Sequence, residues 1–255
     1  MIAEVQLWGR TIGAVLQEEG RHVATFQYDP AFAESGIEIS PIMMPLRKQV
    51  YEFPELPRAA FHDLPGLLAD SLPDKFGNDL INAWLATQGR SQESFSSVER
   101  LCYTGTRGMG ALEFAPALGP KQRKSVKIEI DSLVRLASQV ITHRNDLKGN
   151  FAGAVKKKAL EEILQVGTSA GGARAKAVIA WNRLTNEVRS SQITAGDGFE
   201  YWLLKFDGVT GNKDKELEDP NGYGAIEYAY HLMAKAAGIT MSECRLMEEN
   251  GRRHF

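Results

Sequence analysis

Short runs of alternating apolar and polar residues fill the N-terminal part of the chain, and glycine, proline or acidic residues bound each run. A period of two is typical of strands with one buried face. We therefore predict strands over Val5–Trp8, Thr11–Leu16 and His22–Tyr28. The first two flank Gly9–Arg10 and should form a tight hairpin. A small antiparallel sheet is the expected result.

The pattern becomes helical between Leu64 and Leu85. Asp74 follows Pro73 at a predicted helix start. Asp70 and Asp74 have the chemistry of catalytic carboxylates, but acidic residues near helix starts are mostly N-caps. We favour the capping role for both.

Prolines, glycine and a basic run break both periods between Pro116 and Lys127. This composition is typical of a linker, so we expect one domain over residues 1–120 and a second over residues 121–255. Helices are predicted over Ile130–Thr142 and Phe151–Val166, and the second segment carries an apolar stripe at helical spacing.

The segment Gly167–Lys176 contains three glycines, two hydroxyls and two cations, and the predicted strand Lys176–Trp181 follows it. Backbone amides and fixed positive charge can converge on an anion in such a loop, so we predict a phosphate site. The helix–loop–strand order excludes a Walker loop and a dinucleotide fingerprint, and it suits the glycine loop of a kinase. On the loop alone, a flexible surface turn is an equal alternative.

Lys205 lies within the apolar run Tyr201–Phe206, which we predict to be a strand. A cation among strand residues is costly unless an anion meets it. Glu227, on the predicted helix Tyr223–Ala237, can supply that charge. In protein kinases a strand lysine engages nucleotide phosphates and pairs with a helix glutamate. Each residue taken alone has a simpler explanation: Lys205 as an ordinary surface lysine, and Glu227 as a solvated carboxylate of the helix.

Composition limits the class of protein. The chain has 255 residues, 43% hydrophobic and 24% charged, with a net charge of −2. These values indicate a globular chain without a pervasive basic coat for nucleic acid. Cys102 and Cys244 lie far apart without a Cys/His set, so neither zinc nor a disulfide framework is indicated. No apolar run approaches membrane-spanning length, and we expect a cytoplasmic protein with no membrane partner.

Several ordered motifs resemble those of the HipA-like serine/threonine kinases, the toxins of bacterial toxin–antitoxin pairs. Gly66–Asp74 resembles the N-terminal hallmark of the family, and Ser169–Lys176 resembles its glycine-rich loop. Trp202–Lys205 is similar to its lysine strand. Ile226–Tyr228 and Met233–Lys235 are similar to the helix that follows. The resemblance covers most of the chain.

The resemblance implies an α+β protein, in which an N-terminal mixed β/α subdomain precedes a kinase N-lobe-like portion of a HipA/phosphoinositide-kinase-like core. It implies ATP and Mg²⁺ as cofactors and transfer of phosphate to a serine or threonine of a protein, an aminoacyl-tRNA synthetase being the best-known target of the family. It also implies a HipB-like helix-turn-helix antitoxin, through which alone the protein would meet DNA.

The resemblance implies functional roles for particular residues of this chain. Lys205 would contact the phosphates and Glu227 would orient it, both in a supporting catalytic role. Ser169 matches the serine through which family members are shut off by self-phosphorylation. The residues implied to bind ATP are Gly171, Gly172, Ala173, Arg174, Ala175, Lys176 and Lys205.

The sequence departs from the family at its end. No His-x-Asp-x-x-x-x-Asn motif occurs, and the aspartates near the lysine strand match no motif. The catalytic Asp and the Mg²⁺ ligands of the family are thus missing, and we expect a kinase truncated before the catalytic lobe. Since Arg252–Phe255 resembles the opening of a strand, an interrupted fold is favoured. The alternative is a catalytically inactive interaction or inhibitory module.

Overall fold

The computed structural model describes residues 1–119, 125, 127–142, 164, 174–209 and 221–255. These residues form two compact units: residues 1–73 with 91–119, and residues 74–90 with 120–255. The sequence predicts a single domain boundary, after residue 120. The structure also assigns residues 74–90 to the second unit. Of the helix predicted over Phe151–Val166, the structure describes only Leu164, which is helical.

The first unit is built on an antiparallel sheet of strand order β4-β3-β2-β1-β5. The bounds are β1 Ile2–Leu7, β2 Arg10–Leu16, β3 Thr25–Tyr28, β4 Val50–Tyr51 and β5 Leu112–Ala115. The three predicted N-terminal strands and their hairpin are confirmed. The turn itself is Trp8–Gly9, where φ is 52° and 73°. Positive φ at both residues matches the twist of a tight hairpin, and it takes Trp8 out of the strand.

The first unit also contains short helices. Their bounds are α1 Pro30–Ala33, α2 Arg58–Phe61, α3 Gly66–Ala69 and, after helix α4 (Lys75–Thr87) of the other unit, α5 Ser97–Thr104. Ser96 accepts from the Glu99 N–H and the Glu99 side chain accepts from the Ser96 N–H, a capping box that starts α5. The core buries alternate strand residues against helix residues, among them Val5, Ile12, Phe26, Tyr28, Phe32, Leu68, Leu101 and Phe114.

The second unit contains two amphipathic helices, α4 Lys75–Thr87 and α6 Ile130–Thr142, which contact each other. Leu80 and Ile81 of α4 are fully buried, as is Val140 of α6. Burial of these apolar stripes explains why α4 belongs to the second unit. Asp74 caps α4 by accepting from the Gly77 N–H at 2.7 Å, so its predicted capping role is confirmed.

Two small sheets complete the second unit. The bounds are β6 Lys176–Asn182, β7 Glu187–Ser190, β8 Glu200–Lys205, helix α7 Tyr223–Ala236, β9 Met247–Glu249 and β10 Arg252–His254. Strands β7-β6-β8 form one antiparallel sheet and β9-β10 form a hairpin. Lys205 and Phe255 exchange backbone hydrogen bonds of 2.6 and 3.2 Å, which join the hairpin to the free edge of β8.

Four sequence predictions are confirmed in this unit: β6, β8, α6 and the helix that carries Glu227. Sequence reasoning missed β9, although Asn250–Gly251 is a strong hairpin signal. Both residues have positive φ, 46° and 76°. In the described part of the chain, no helix is long and apolar enough to cross a membrane.

Gly224 allows α7 to approach the backbone of β10. A Cβ at this position would collide with the carbonyl oxygen of Arg253. We expect Gly224→Ala to destabilise the second unit by about 1–3 kcal/mol, the usual cost of overpacking. Urea unfolding followed by tryptophan fluorescence measures this, because Trp84, Trp181 and Trp202 lie in that unit.

Gly110→Ala is the matched control. Gly110 has no neighbouring atom within 4 Å of the added Cβ, so this variant should change the free energy of unfolding by less than about 0.5 kcal/mol. Equal midpoints for the Gly224→Ala variant and the wild type would show that α7 does not depend on this close approach.

Candidate functional site: a cationic cluster at the end of two strands

Lys205 and Glu227 are brought together in the second unit. The Lys205 ammonium donates a hydrogen bond to Glu227 Oε2. Their side chains are 37% and 24% exposed, so the pair is partly screened and open to solvent on one side. Lys205 Nζ also lies 5.2 Å from the ring centroid of Phe255. Strand β8 and helix α7 thus place a cation and its carboxylate at an accessible position.

Arg174 is the second cation of the cluster. Its Nη1 lies 3.4 Å from Glu227 Oε1, so Glu227 engages Arg174 and Lys205 with different oxygens. The guanidinium also stacks on the ring of Tyr223, 3.6 Å from its centroid. Stacking and ion pairing together hold the guanidinium beside the lysine ammonium.

Lys176 is the third cation. It is the direct cross-strand partner of Lys205 in the β6–β8 ladder. Directly opposite residues of an antiparallel pair extend to the same face of the sheet. Lys176 differs from Lys205 in its surroundings, because its side chain is only 7% exposed and its ammonium lies 3.2 Å from Asp74 Oδ2.

The other predicted loop residues divide into two groups. Ala175 is buried, and its carbonyl oxygen accepts from the Phe206 N–H at 3.1 Å, which continues the β6–β8 ladder by one residue. The remaining ones lie outside the described residues: Ser169, Gly171, Gly172 and Ala173.

A cleft of about 620 Å³ opens beside Lys205. Tyr201, Leu203 and Lys205 alternate along β8 and contribute to its wall, together with Phe255 and the segment 242–245. Tyr201 and Leu203 are 54% and 39% exposed, unusually high for apolar strand residues. The cleft therefore presents apolar strand residues beside a cation, and charged side chains of both signs also line it.

Asp207 holds the start of α7 in place, a role that sequence reasoning missed. Its side chain is buried, and its carboxylate accepts from the Gly222 N–H at 2.9 and 3.1 Å and from the Arg253 N–H at 3.3 Å. The negative charge faces the N-terminus of the helix that carries Glu227, where it is favourable. The sequence signal for this role is the position of Asp207, directly after an apolar strand.

His254 supports the same corner from β10. Its Nδ1 accepts from the Asp207 N–H at 2.9 Å, which places the ring proton on Nε2. The side chain is fully buried, and burial lowers the pKa of His254 to about 4, although Asp207 opposes the shift. Nε2 lies 3.8 Å from Glu249 Oε2, and burial together with nearby Asp131 raises the pKa of Glu249.

Comparisons with known protein families now identify the class of protein. A family model described as HipA N-terminal domain matches residues 3–115, and one described as HipA-like C-terminal domain matches residues 168–255. A search of curated proteins found no match to the chain. The two matches follow each other in the chain and cover most of it. The chain belongs to the HipA-like protein family.

The buried His254 predicts a pH-dependent stability. The unfolded chain takes up a proton near pH 6.5 but the folded protein only near pH 4. The contribution of neutral His254 to the free energy of unfolding is therefore fully present above pH 6.5. It is lost as the pH falls from 6.5 towards 4, by up to about 3 kcal/mol. Urea unfolding at pH 7.5, 6.0 and 5.0 measures the loss.

His254→Gln should reduce this pH dependence, because glutamine carries an acceptor without titrating in this range. His22→Gln is the control, since His22 is exposed. If the wild type and His254→Gln lose stability in parallel between pH 7.5 and 5.0, His254 is not the titrating group.

Proposed function

We propose that this chain forms the nucleotide-binding part of a HipA-like serine/threonine kinase toxin and binds ATP at the Lys205 cleft. The observation that carries the proposal is the contact between Lys205 and Glu227. In protein kinases the equivalent lysine–glutamate ion pair must be in place for phosphoryl transfer. Family membership supports the toxin–antitoxin setting.

The donor set of the site fits ATP. Arg174, Lys176 and Lys205 face two carboxylates, Asp74 and Glu227, which leaves the cluster with a net charge of +1. Such a cluster attracts phosphate oxygens. The apolar wall of the cleft suits a purine base, and its volume lies in the range of small-molecule sites. When bound, ATP would supply the phosphoryl group for transfer.

The described residues do not fit Mg²⁺ in the same way. Among them, no group of three or more His, Cys, Asp or Glu side chains could hold a metal ion. We therefore assign no step through Mg²⁺ to these residues. Their contribution is to bind and to orient: Glu227 fixes the direction of the Lys205 ammonium, and Arg174 adds a second donor beside it.

The proposal includes regulation and partners that follow from the family. Phosphorylation of Ser169 would add negative charge within the glycine-rich loop and oppose the nucleotide phosphates. Mass spectrometry of the chain expressed beside an active family member should find phosphate on Ser169, and a peptide that stays unmodified would exclude this regulation.

A HipB-like antitoxin and a protein substrate, such as an aminoacyl-tRNA synthetase, complete the proposal.

One observation favours the second candidate, an interaction module without catalysis. Helix α7 exposes Ile226, Tyr230 and Met233 by 48%, 67% and 63%. These residues lie at helical spacing, and a contiguous apolar surface on a helix is typical of a contact with another polypeptide. The nucleotide titration below separates the two candidates.

We expect the wild-type chain to bind Mg·ATP in the micromolar range by isothermal titration calorimetry. Lys205→Met should weaken binding at least about tenfold, because a charge-assisted hydrogen bond to phosphate contributes about 1.5–3 kcal/mol. Glu227→Gln should weaken it less, since the ammonium remains but loses its orienting carboxylate.

Lys235→Met is the control, because it removes an exposed lysine near the end of α7. Its affinity should equal that of the wild type. If the Lys205 and Lys235 variants lost the same amount of ATP affinity, net charge alone would explain the loss. This outcome would contradict a specific site at Lys205. A folded wild type that binds no ATP would leave the interaction module as the function.

A further inference from the structure

The ion pair between Asp74 and Lys176 lies beside the proposed phosphate site. Both side chains are more than nine-tenths buried, at 6% and 7% exposure. The nitrogen–oxygen distance is 3.2 Å, but Asp74 Oδ2 makes no hydrogen bond in the described part of the chain. The interaction is therefore mainly one between charges. Oδ1 of the same carboxylate is engaged separately, in capping α4.

The position of Lys176 in the ladder shows what Asp74 neutralises. The backbone N–H and C=O of Lys205 are bonded to Phe255, on the side away from Lys176. Lys176 and Lys205 are therefore a non-hydrogen-bonded pair, the type in which the Cα atoms are about 4.5 Å apart and the side chains are closest. Like charges directly opposite each other destabilise a sheet.

Each lysine of this pair has its own carboxylate. Glu227 comes from α7 and binds Lys205, whereas Asp74 comes from the N-terminus of α4 and lies against Lys176. Without Asp74, the buried Lys176 cation would compete with Lys205 and Arg174 for Glu227. Without Lys176, the buried Asp74 carboxylate would draw Lys205 away and repel phosphate. Either loss disturbs the position of Lys205.

We propose that Asp74 and Lys176 act as a positioning pair for the anion site, and that Lys176 is not itself a phosphate ligand. The inference rests on the proposed function and deepens it, because it removes Lys176 from the residues that contact ATP. It also gives a role to Asp74, the last residue of the N-terminal hallmark segment. The phosphate contacts are then left to Lys205 and Arg174 among the described residues.

The charge count makes the pair testable by a double-mutant cycle. Lys176→Met lowers the net charge of the cluster from +1 to 0 and leaves a buried carboxylate. Asp74→Asn removes that carboxylate but keeps an oxygen that caps α4. The double variant D74N/K176M restores the net charge of +1 and contains no unpaired buried ion.

Calorimetric titration with Mg·ATP compares the wild type with both single variants and the double variant. We expect Lys176→Met to weaken binding five- to tenfold and D74N/K176M to bind within twofold of the wild type. If the double variant is as weak as Lys176→Met, Lys176 is a phosphate ligand and the proposal fails. If Lys176→Met binds like the wild type, the pair does not position the site and the proposal also fails.

Urea unfolding of the same four proteins needs no nucleotide and separates failure of the pair from failure of the proposed function. Each single variant should lower the unfolding midpoint, and the double variant should recover most of the loss. Additive losses would overturn the pair whatever the ATP result. If the wild type binds no ATP, a non-additive cycle still upholds the pair and only the nucleotide site fails. If Lys176→Met does not fold but D74N/K176M does, the coupling is demonstrated directly.

Discussion

The structure of the site depends on keeping three cations close together without mutual repulsion. Lys176 and Lys205 lie directly opposite each other in the β6–β8 ladder. Arg174 and Lys205 both pair with the Glu227 carboxylate. Two acidic residues from different helices make this arrangement stable. Because Asp74 comes from the start of α4 and Glu227 from α7, the positions of both helices are set by electrostatics as well as by apolar packing.

Helix α7 is held in place with little apolar contact. Its buried residues are Gly224 and His231. The helix is located instead by Asp207 at its N-terminus and by the backbone of β10, which Gly224 allows it to approach. Polar groups buried in this way require defined geometry, since each unmade hydrogen bond is costly. They fix the direction of Glu227 more strictly than apolar packing alone could.

Local patterns were sufficient to predict about half of the strands and helices of the described chain. The period of two located β1, β2 and β3, and the helical period located α6 and α7. Asp74 was identified as a cap because capping depends on neighbouring residues only. The Lys205–Glu227 pair was also predictable, since a cation within an apolar strand requires a nearby anion. In each case the physical reason lies within a short stretch of sequence or in one evident charge requirement.

The contacts that escaped prediction join residues far apart in the chain. Asp74 meets Lys176, and Asp207 meets both Gly222 and His254. No periodicity encodes which lysine will be buried and which will face solvent, because the tertiary fold decides this. Yet this difference determines the chemistry of the site. In our proposal, the lysine that is neutralised in the interior supports its neighbour, and the partly exposed Lys205 is left to bind an anion from solution.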